Sequence, residues 1–330
     1  MIKVNATSLK LPGLVILLAF LSVLISGCAT IKLGPSYDQP LKEQVLDEGE
    51  SADKVLIINI NGILSDSPKR GLLSQKPSVL DLVMMQLKKA EKDNRIRAVL
   101  LKINSPGGGV TVSDILYHEL LAFKERTNKK LYVQMMDIAA SGGVYIAMAA
   151  DHIQAHPATI TGSVGVISMS ADLSETMQKI GAKVNIYKTG ENKDMGSPFR
   201  AASESDKKAF QSLVDEMAER FYQIVQTTRK LSDEQMSALK TARVFTGQSA
   251  IQAGLVDSVG YLTDATEKAC ELAESKACTV VSYRFNENAN ATRYSPSMQL
   301  NDNVQAVKLL DIPLLEQMQL KSGIYYLYIP

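Results

Sequence analysis

A chain of 330 residues with 45% hydrophobic side chains and no low-complexity tract has enough apolar surface for one sizeable core or two modest ones. Its 36 Lys and Arg against 35 Asp and Glu leave a formal charge of +1, and no basic run is interleaved with aromatics, which argues against a nucleic-acid partner. Three cysteines, Cys28, Cys270 and Cys278, are too few and too scattered for a disulfide framework or a zinc site.

The N-terminus reads as an export signal over residues 1–27: Lys3 and Lys10, an apolar run from Leu11 to Ile25, then Ser26 and Gly27 before Cys28. That run is shorter than the ~20 residues of a comfortable membrane span, which favours a cleaved signal. The string Ile25-Ser26-Gly27-Cys28 resembles a bacterial lipobox, with Cys28 as the lipidated residue. The alternative is an uncleaved single-pass anchor. Either way the expected location is the bacterial cell envelope, with the folded part outside the cytoplasm at a membrane surface.

Residues 28–53 lack periodicity and are expected to be a membrane-proximal spacer, so a domain is placed over 54–285. In it, 55–61 reads as a buried strand, 79–92 as a helix opened by Pro77-Ser78, 98–103 as a strand, 112–125 as a helix and 131–135 as a third strand. This alternation predicts βαβ units: an α/β fold with a mostly parallel sheet flanked by helices. Short strands are expected at 153–156, 160–168 and 184–188. A helix follows from Ser203 to about Arg229, with Phe210, Leu213, Met217, Phe221 and Ile224 as its buried stripe. Residues 286–330 read as a polar tail with an apolar tip. Cys270 and Cys278, eight residues apart, are roughly 12 Å apart if one helix carries both, so pairing requires the helix to end between them.

Two segments suggest chemistry. Ser141 stands among small residues directly after a strand and before a helix-forming run, a position where free backbone N–H groups favour a nucleophile. Taken alone it is equally an ordinary helix cap. Asn104-Ser-Pro-Gly-Gly-Gly109 ends another strand, and the amides of Gly108 and Gly142 are natural oxyanion donors. His118, His152 and His156 are poor candidates for the base. A lysine serves if desolvation lowers its pKa from ~10.4 toward ~7–8, and the stretch from Tyr187 to Pro198 contains Lys193, one lysine among many.

The segments Asn104-Ser-Pro-Gly-Gly108, Ala139-Ala-Ser-Gly-Gly143, Thr161-Gly-Ser-Val-Gly-Val-Ile167, Gly190-Glu-Asn-Lys-Asp-Met-Gly-Ser-Pro198, Arg243-Val-Phe-Thr-Gly247 and Gly254-Leu-Val-Asp257 resemble, in order, the motifs of the signal peptide peptidase A family, peptidase family S49. The resemblance implies a Clp protease/crotonase-like fold and a serine endopeptidase acting on cleaved signal peptides and similar apolar peptides, with no metal or cofactor. It implies Ser141 as nucleophile, Lys193 as base, Ser163 orienting the lysine amine, and Gly108 and Gly142 as oxyanion donors. Val144 stands where members often carry an aromatic. Longer members contain two tandem copies of the domain; this chain has one, and the resemblance implies a ring-like homo-oligomer. Apolar substrates suit an exposed strand edge, and the tip Ile324–Ile329 is a candidate occupant of the same groove. A catalytically silent membrane scaffold is the alternative of a different class.

Overall fold

The computed structural model describes residues 37, 39–70, 75–295 and 323–329. Cys28 and the expected signal over 1–27 lie outside the described residues. Among the described residues no helix is long and apolar enough to cross a membrane.

Order begins inside the expected spacer. Strand β1 (Lys42–Asp47) pairs antiparallel with a strand more than 200 residues away, and β2 (Ser51–Asn61) follows it. The alternation in Lys-Glu-Gln-Val-Leu-Asp is too weak to announce a strand, so only the distant partner defines it. A two-residue hairpin, β3 (Lys69–Arg70) with β4 (Gln75–Lys76), leads to helix α1 (Val79–Lys92). Ser78 caps α1 by accepting from the Asp81 amide at 3.0 Å. Next come β5 (Ile96–Ser105), the short β6 (Gly107–Gly109), α2 (Val110–Thr127), β7 (Lys130–Ala140) and the six-residue α3 (Gly142–Ala147).

The sheet continues with β8 (His152–Ala155), β9 (Ile160–Gly162) and β10 (Ile167–Met169). The single strand expected over 160–168 is therefore two, which enter different sheets. Helix α4 (Ser174–Lys179), a 3-10 turn over Glu191–Asp194 and helix α5 (Glu204–Arg229) follow. Residues 184–188 form no strand: Val184 and Ile186 are exposed, without a pairing edge beside them. The expected stripe of α5 is buried only in its second half, at Phe221 with Ala218 and Val225, whereas Leu213 is exposed. The last elements are α6 (Asp233–Lys240), β11 (Val244–Thr246), α7 (Gly247–Gln252), β12 (Ser258–Val259), α8 (Leu262–Leu272), β13 (Cys278–Arg284) and β14 (Gly323–Leu327).

The main sheet runs β1-β13-β2-β5-β7-β8-β12; the far end of β7 also pairs with β9, which pairs with β11. All its pairings are parallel except β1 with β13 and β11 with β9. Side chains alternate across it with the period of two that a strand imposes. Leu56, Ile58, Ile60, Val99, Leu101, Ile103, Leu131 and Val133 face α1, α2 and α3, while Val55, Ile57, Ala98, Leu100 and Tyr132 face α8. Burial on both faces is what a parallel sheet requires. Helix α8 ends at Leu272, and the chain turns back so that Cys270 and Cys278 form a disulfide with a Cα separation of 6.0 Å.

The segment after β13 is not detached. The Arg293 guanidinium pairs with Asp47 at 2.9 Å and donates to Thr266 Oγ1, and Lys102 Nζ donates to the Arg293 carbonyl.

Candidate active site

Three strand ends meet at one edge of the fold. The Asn104 amide at the end of β5 donates to Asp137 Oδ2 at 3.0 Å and accepts from the Ile138 amide at 3.2 Å, which fixes β5 to the bend in β7. Ser105 Oγ donates to the Gly62 carbonyl at 2.6 Å and accepts from the Gly107 amide at 3.1 Å, closing the turn through Pro106. Gly107 sits at φ 102°, and a Cβ built on it would collide with the Tyr326 carbonyl and lie 2.7 Å from the Gly142 nitrogen. Only glycine fits there. On the far side, Thr161 Oγ1 donates to the Ala139 carbonyl at 2.6 Å, tying β9 to the end of β7.

Ser141 stands at the junction of β7 and α3 with φ 51° and ψ −113°, a sharp turn for a residue bearing a side chain. The turn is held at both ends: its amide donates to the Gly162 carbonyl at 2.8 Å and its carbonyl accepts from the Tyr145 amide at 2.9 Å. Oγ donates to the Gly165 carbonyl at 3.4 Å, and the residue is 1% exposed. Ser163, next in chain to Gly162, also has φ 51°; its amide donates to the Arg243 carbonyl at 2.9 Å. The structure thus brings Ser141, Ser163, Gly108 and Gly142 into one region.

Lys193 and Ser141 share no hydrogen bond among the described residues. Lys193 lies on the exposed 3-10 turn, and its amine forms no hydrogen bond or ion pair among the described residues. Its surroundings are nonetheless fixed. Asp194 pairs with Lys188 and with Arg200, both at 2.8 Å, and Arg200 bridges to Asp206 at 2.5 Å in the first turn of α5. The Arg200 and Lys188 hydrogen bonds hold the Asp194 carboxyl well below the usual carboxylate range. The amine is therefore carried on a braced, exposed turn.

The second feature of the site is the position of β14, the strand formed by the expected apolar tip. It lies antiparallel between β6 and β10, with Tyr326 opposite Gly108 and Tyr325 opposite Ile167. The Tyr326 carbonyl points at the glycine turn, 3.1 Å from where a Cβ on Gly142 would be. The chain's own C-terminal strand thus fills the gap between the two strands flanking the candidate nucleophile. The apolar tip over 323–329 signalled such a strand; Asp194 and the contacts of Ser105 had no signal beyond their place in the quoted motifs, and Asp206 lies outside those motifs.

A serine-bearing elbow at the ends of parallel strands, beside a glycine turn and a strand-lined groove, is an arrangement suited to an α/β peptidase. Two family models match: "Peptidase family S49" over residues 123–276 and "Clp protease" over residues 74–161. An Enterococcus faecium protein described as "Putative signal peptide peptidase SppA" is 33% identical over 244 residues, covering 74% of this chain and 71% of that protein. "Protease 4" of Haemophilus influenzae is 32% identical over 229 residues, which are 69% of this chain and 36% of that longer protein. "Serine protease SPPA, chloroplastic" of Arabidopsis thaliana is 29% identical over 68% of this chain and 32% of its own length. The chain belongs to peptidase family S49, the signal peptide peptidase A family, and is a serine protease with the Clp-protease-like fold.

Proposed function

We propose that this protein is a membrane-attached endopeptidase that uses a Ser141–Lys193 dyad to cut apolar peptides, remnant signal peptides among them, outside the cytoplasm. The observation that carries the reading is the Ser141 elbow, set beside the amides of Gly108 and Gly142 at the mouth of a groove that holds an extended strand. The neutral Lys193 amine takes the Ser141 hydroxyl proton as Oγ attacks the peptide carbonyl. The oxyanion is met by the two glycine amides, and the lysine proton passes to the leaving amine as the C–N bond breaks. Water then hydrolyses the acyl-enzyme. Ser163 orients the lysine amine.

The dyad closes between copies of the chain. The excursion between β10 and α5 carries exposed Leu173, Ile180, Val184, Ile186, Tyr187 and Phe199, with Tyr187 at 94% and Ile180 at 70% exposure, together with Lys193. Apolar surface of this kind favours a protein contact. Seated against a neighbouring copy in a ring, the excursion loses that exposure, and the lysine amine gains the dry surroundings a base requires. Membrane attachment rests on the signal-like residues 1–27 and Cys28. The Cys270–Cys278 disulfide supports an oxidising compartment.

The test is hydrolysis of an apolar fluorogenic peptide by wild type, Ser141→Ala and Lys193→Ala, with oligomeric state measured on the same samples. Loss of activity in both variants supports the dyad; activity surviving Lys193→Ala rules out that base. An inactive but assembled wild type turns the reading toward a silent scaffold.

A further inference from the structure

Strand β7 slips against β5 at one place, just before the candidate nucleophile. Ile103 is paired with Met135 and Ser105 with Ala139, so the single residue Asn104 on β5 stands opposite three on β7, Met136, Asp137 and Ile138. Such an insertion leaves backbone groups without ladder partners and re-aims the strand beyond it. Here the strand beyond is Ala139-Ala140, which runs into the Ser141 elbow.

The inserted residues are tied down on both sides. Toward β5, Asn104 Oδ1 accepts from the Ile138 amide at 3.2 Å, and Nδ2 donates to Asp137 Oδ2 at 3.0 Å. Toward the other edge, the buried Thr159 hydroxyl lies 2.6 Å from the Met136 carbonyl and 3.1 Å from the Met135 carbonyl, where β7 exchanges β8 for β9 as its partner. The backbone of Asn104 is anchored in turn: its carbonyl accepts from the Gly62 amide at 2.9 Å, and Asn61 pairs with it across β2.

Beyond Asn104, β5 leads through Ser105 and Pro106 to Gly108. One strand thus carries an oxyanion donor and the other the nucleophile, and the Asn104 side chain bridges them where their offset is set. We infer, resting on the peptidase reading above, that Asn104, working with Asp137, is a positioning residue for the reaction: it fixes the register of Ser141 against the Gly108 amide. Its contacts are to the inserted residues of β7, not to the reacting atoms. A slipped insertion shifts Oγ relative to the amide that meets the oxyanion, and a misplacement of about 1 Å costs on the order of 100-fold in rate. The groove between β6 and β10 is left as it is, so the loss falls on kcat more than on KM.

The experiment uses the full chain and an apolar fluorogenic peptide, with thermal unfolding followed on the same samples. Asn104→Ala is expected to lower kcat roughly 10- to 100-fold with KM within about twofold of the wild type. Asn104→Asp keeps the shape and the acceptor for Ile138 but sets two carboxylates against each other, and is expected to fall as far. Combining Asn104→Asp with Asp137→Asn restores one donor and one acceptor with the polarity reversed. That double variant is expected to recover kcat to within about threefold of the wild type, a rescue that a packing defect would not show. Wild-type kcat in Asn104→Ala, or a double variant no better than Asn104→Asp, overturns the inference while wild-type hydrolysis leaves the peptidase reading standing. A folded wild type without Ser141-dependent hydrolysis overturns the peptidase reading itself, and the inference with it.

Discussion

The amide of Ser141 donates to the carbonyl of Gly162 at 2.8 Å, so the candidate nucleophile is hung from the residue preceding Ser163. The two serines share one backbone link, and both occupy the left-handed region at φ 51°. Ser141→Ala and Lys193→Ala are each expected to lower kcat/KM on an apolar peptide by at least ~1,000-fold. Ser163→Ala, acting through the lysine, is expected to lose roughly 10- to 100-fold, chiefly in kcat. Circular dichroism should be unchanged for all three.

The exposed row on the excursion gives a prediction about assembly. Tyr187→Asp or Ile180→Asp places a charge where a neighbouring copy is proposed to sit, and sedimentation should then show a smaller species. Activity is expected to fall with the oligomer while Ser141 stays untouched. A monomeric variant with full activity would confine the dyad to one chain.

The disulfide between Cys270 and Cys278 joins the end of α8 to the start of β13, which lies between β1 and β2 in the sheet. Cys270 is buried with Tyr132, Leu262 and Val55. For so short a loop, removing the link by Cys278→Ala is expected to cost about 2–3 kcal/mol in denaturant unfolding. The same loss should appear when the wild type is unfolded with reductant present.

Lys102 gives a pH-dependent prediction. Burial first, and the Arg284 guanidinium second, bring its amine down from 10.5 to about 8. Below pH 8 the amine is charged in both folded and unfolded states, and the folded state carries the whole penalty. Between pH 8 and 10.5 the folded amine is neutral before the unfolded one, so the penalty shrinks to nothing. Lys102→Met is therefore expected to be more stable than the wild type by roughly 1–2 kcal/mol at pH 7, less the lost bond to the Arg293 carbonyl, with the difference closing by pH 10.5. A constant difference across that range would assign the effect to packing alone.

What was legible in the sequence was local. Helix α1 was read with the bounds it has because Ser78 and a 3.6-residue apolar period mark it, and β2, β5 and β7 because each is a continuous apolar run. The elbow at Ser141 and the glycine turn were readable as small residues at strand ends. The rest depends on partners remote in sequence. Nothing in Lys42–Asp47 names β13, and nothing in Gly323–Leu327 names β6 and β10. Val184 and Ile186 favour a strand by type, yet pair with no strand among the described residues. Likewise the spacing of Lys193 from Ser141 along the chain carries no information on how far apart the two side chains lie.

The strand at the chain end has a consequence for solubility. Without β14, β6 and β10 would each present an unpaired row of amides and carbonyls, the geometry that templates sheet-to-sheet self-association. The strand Gly323–Leu327 therefore acts as a cover over both edges.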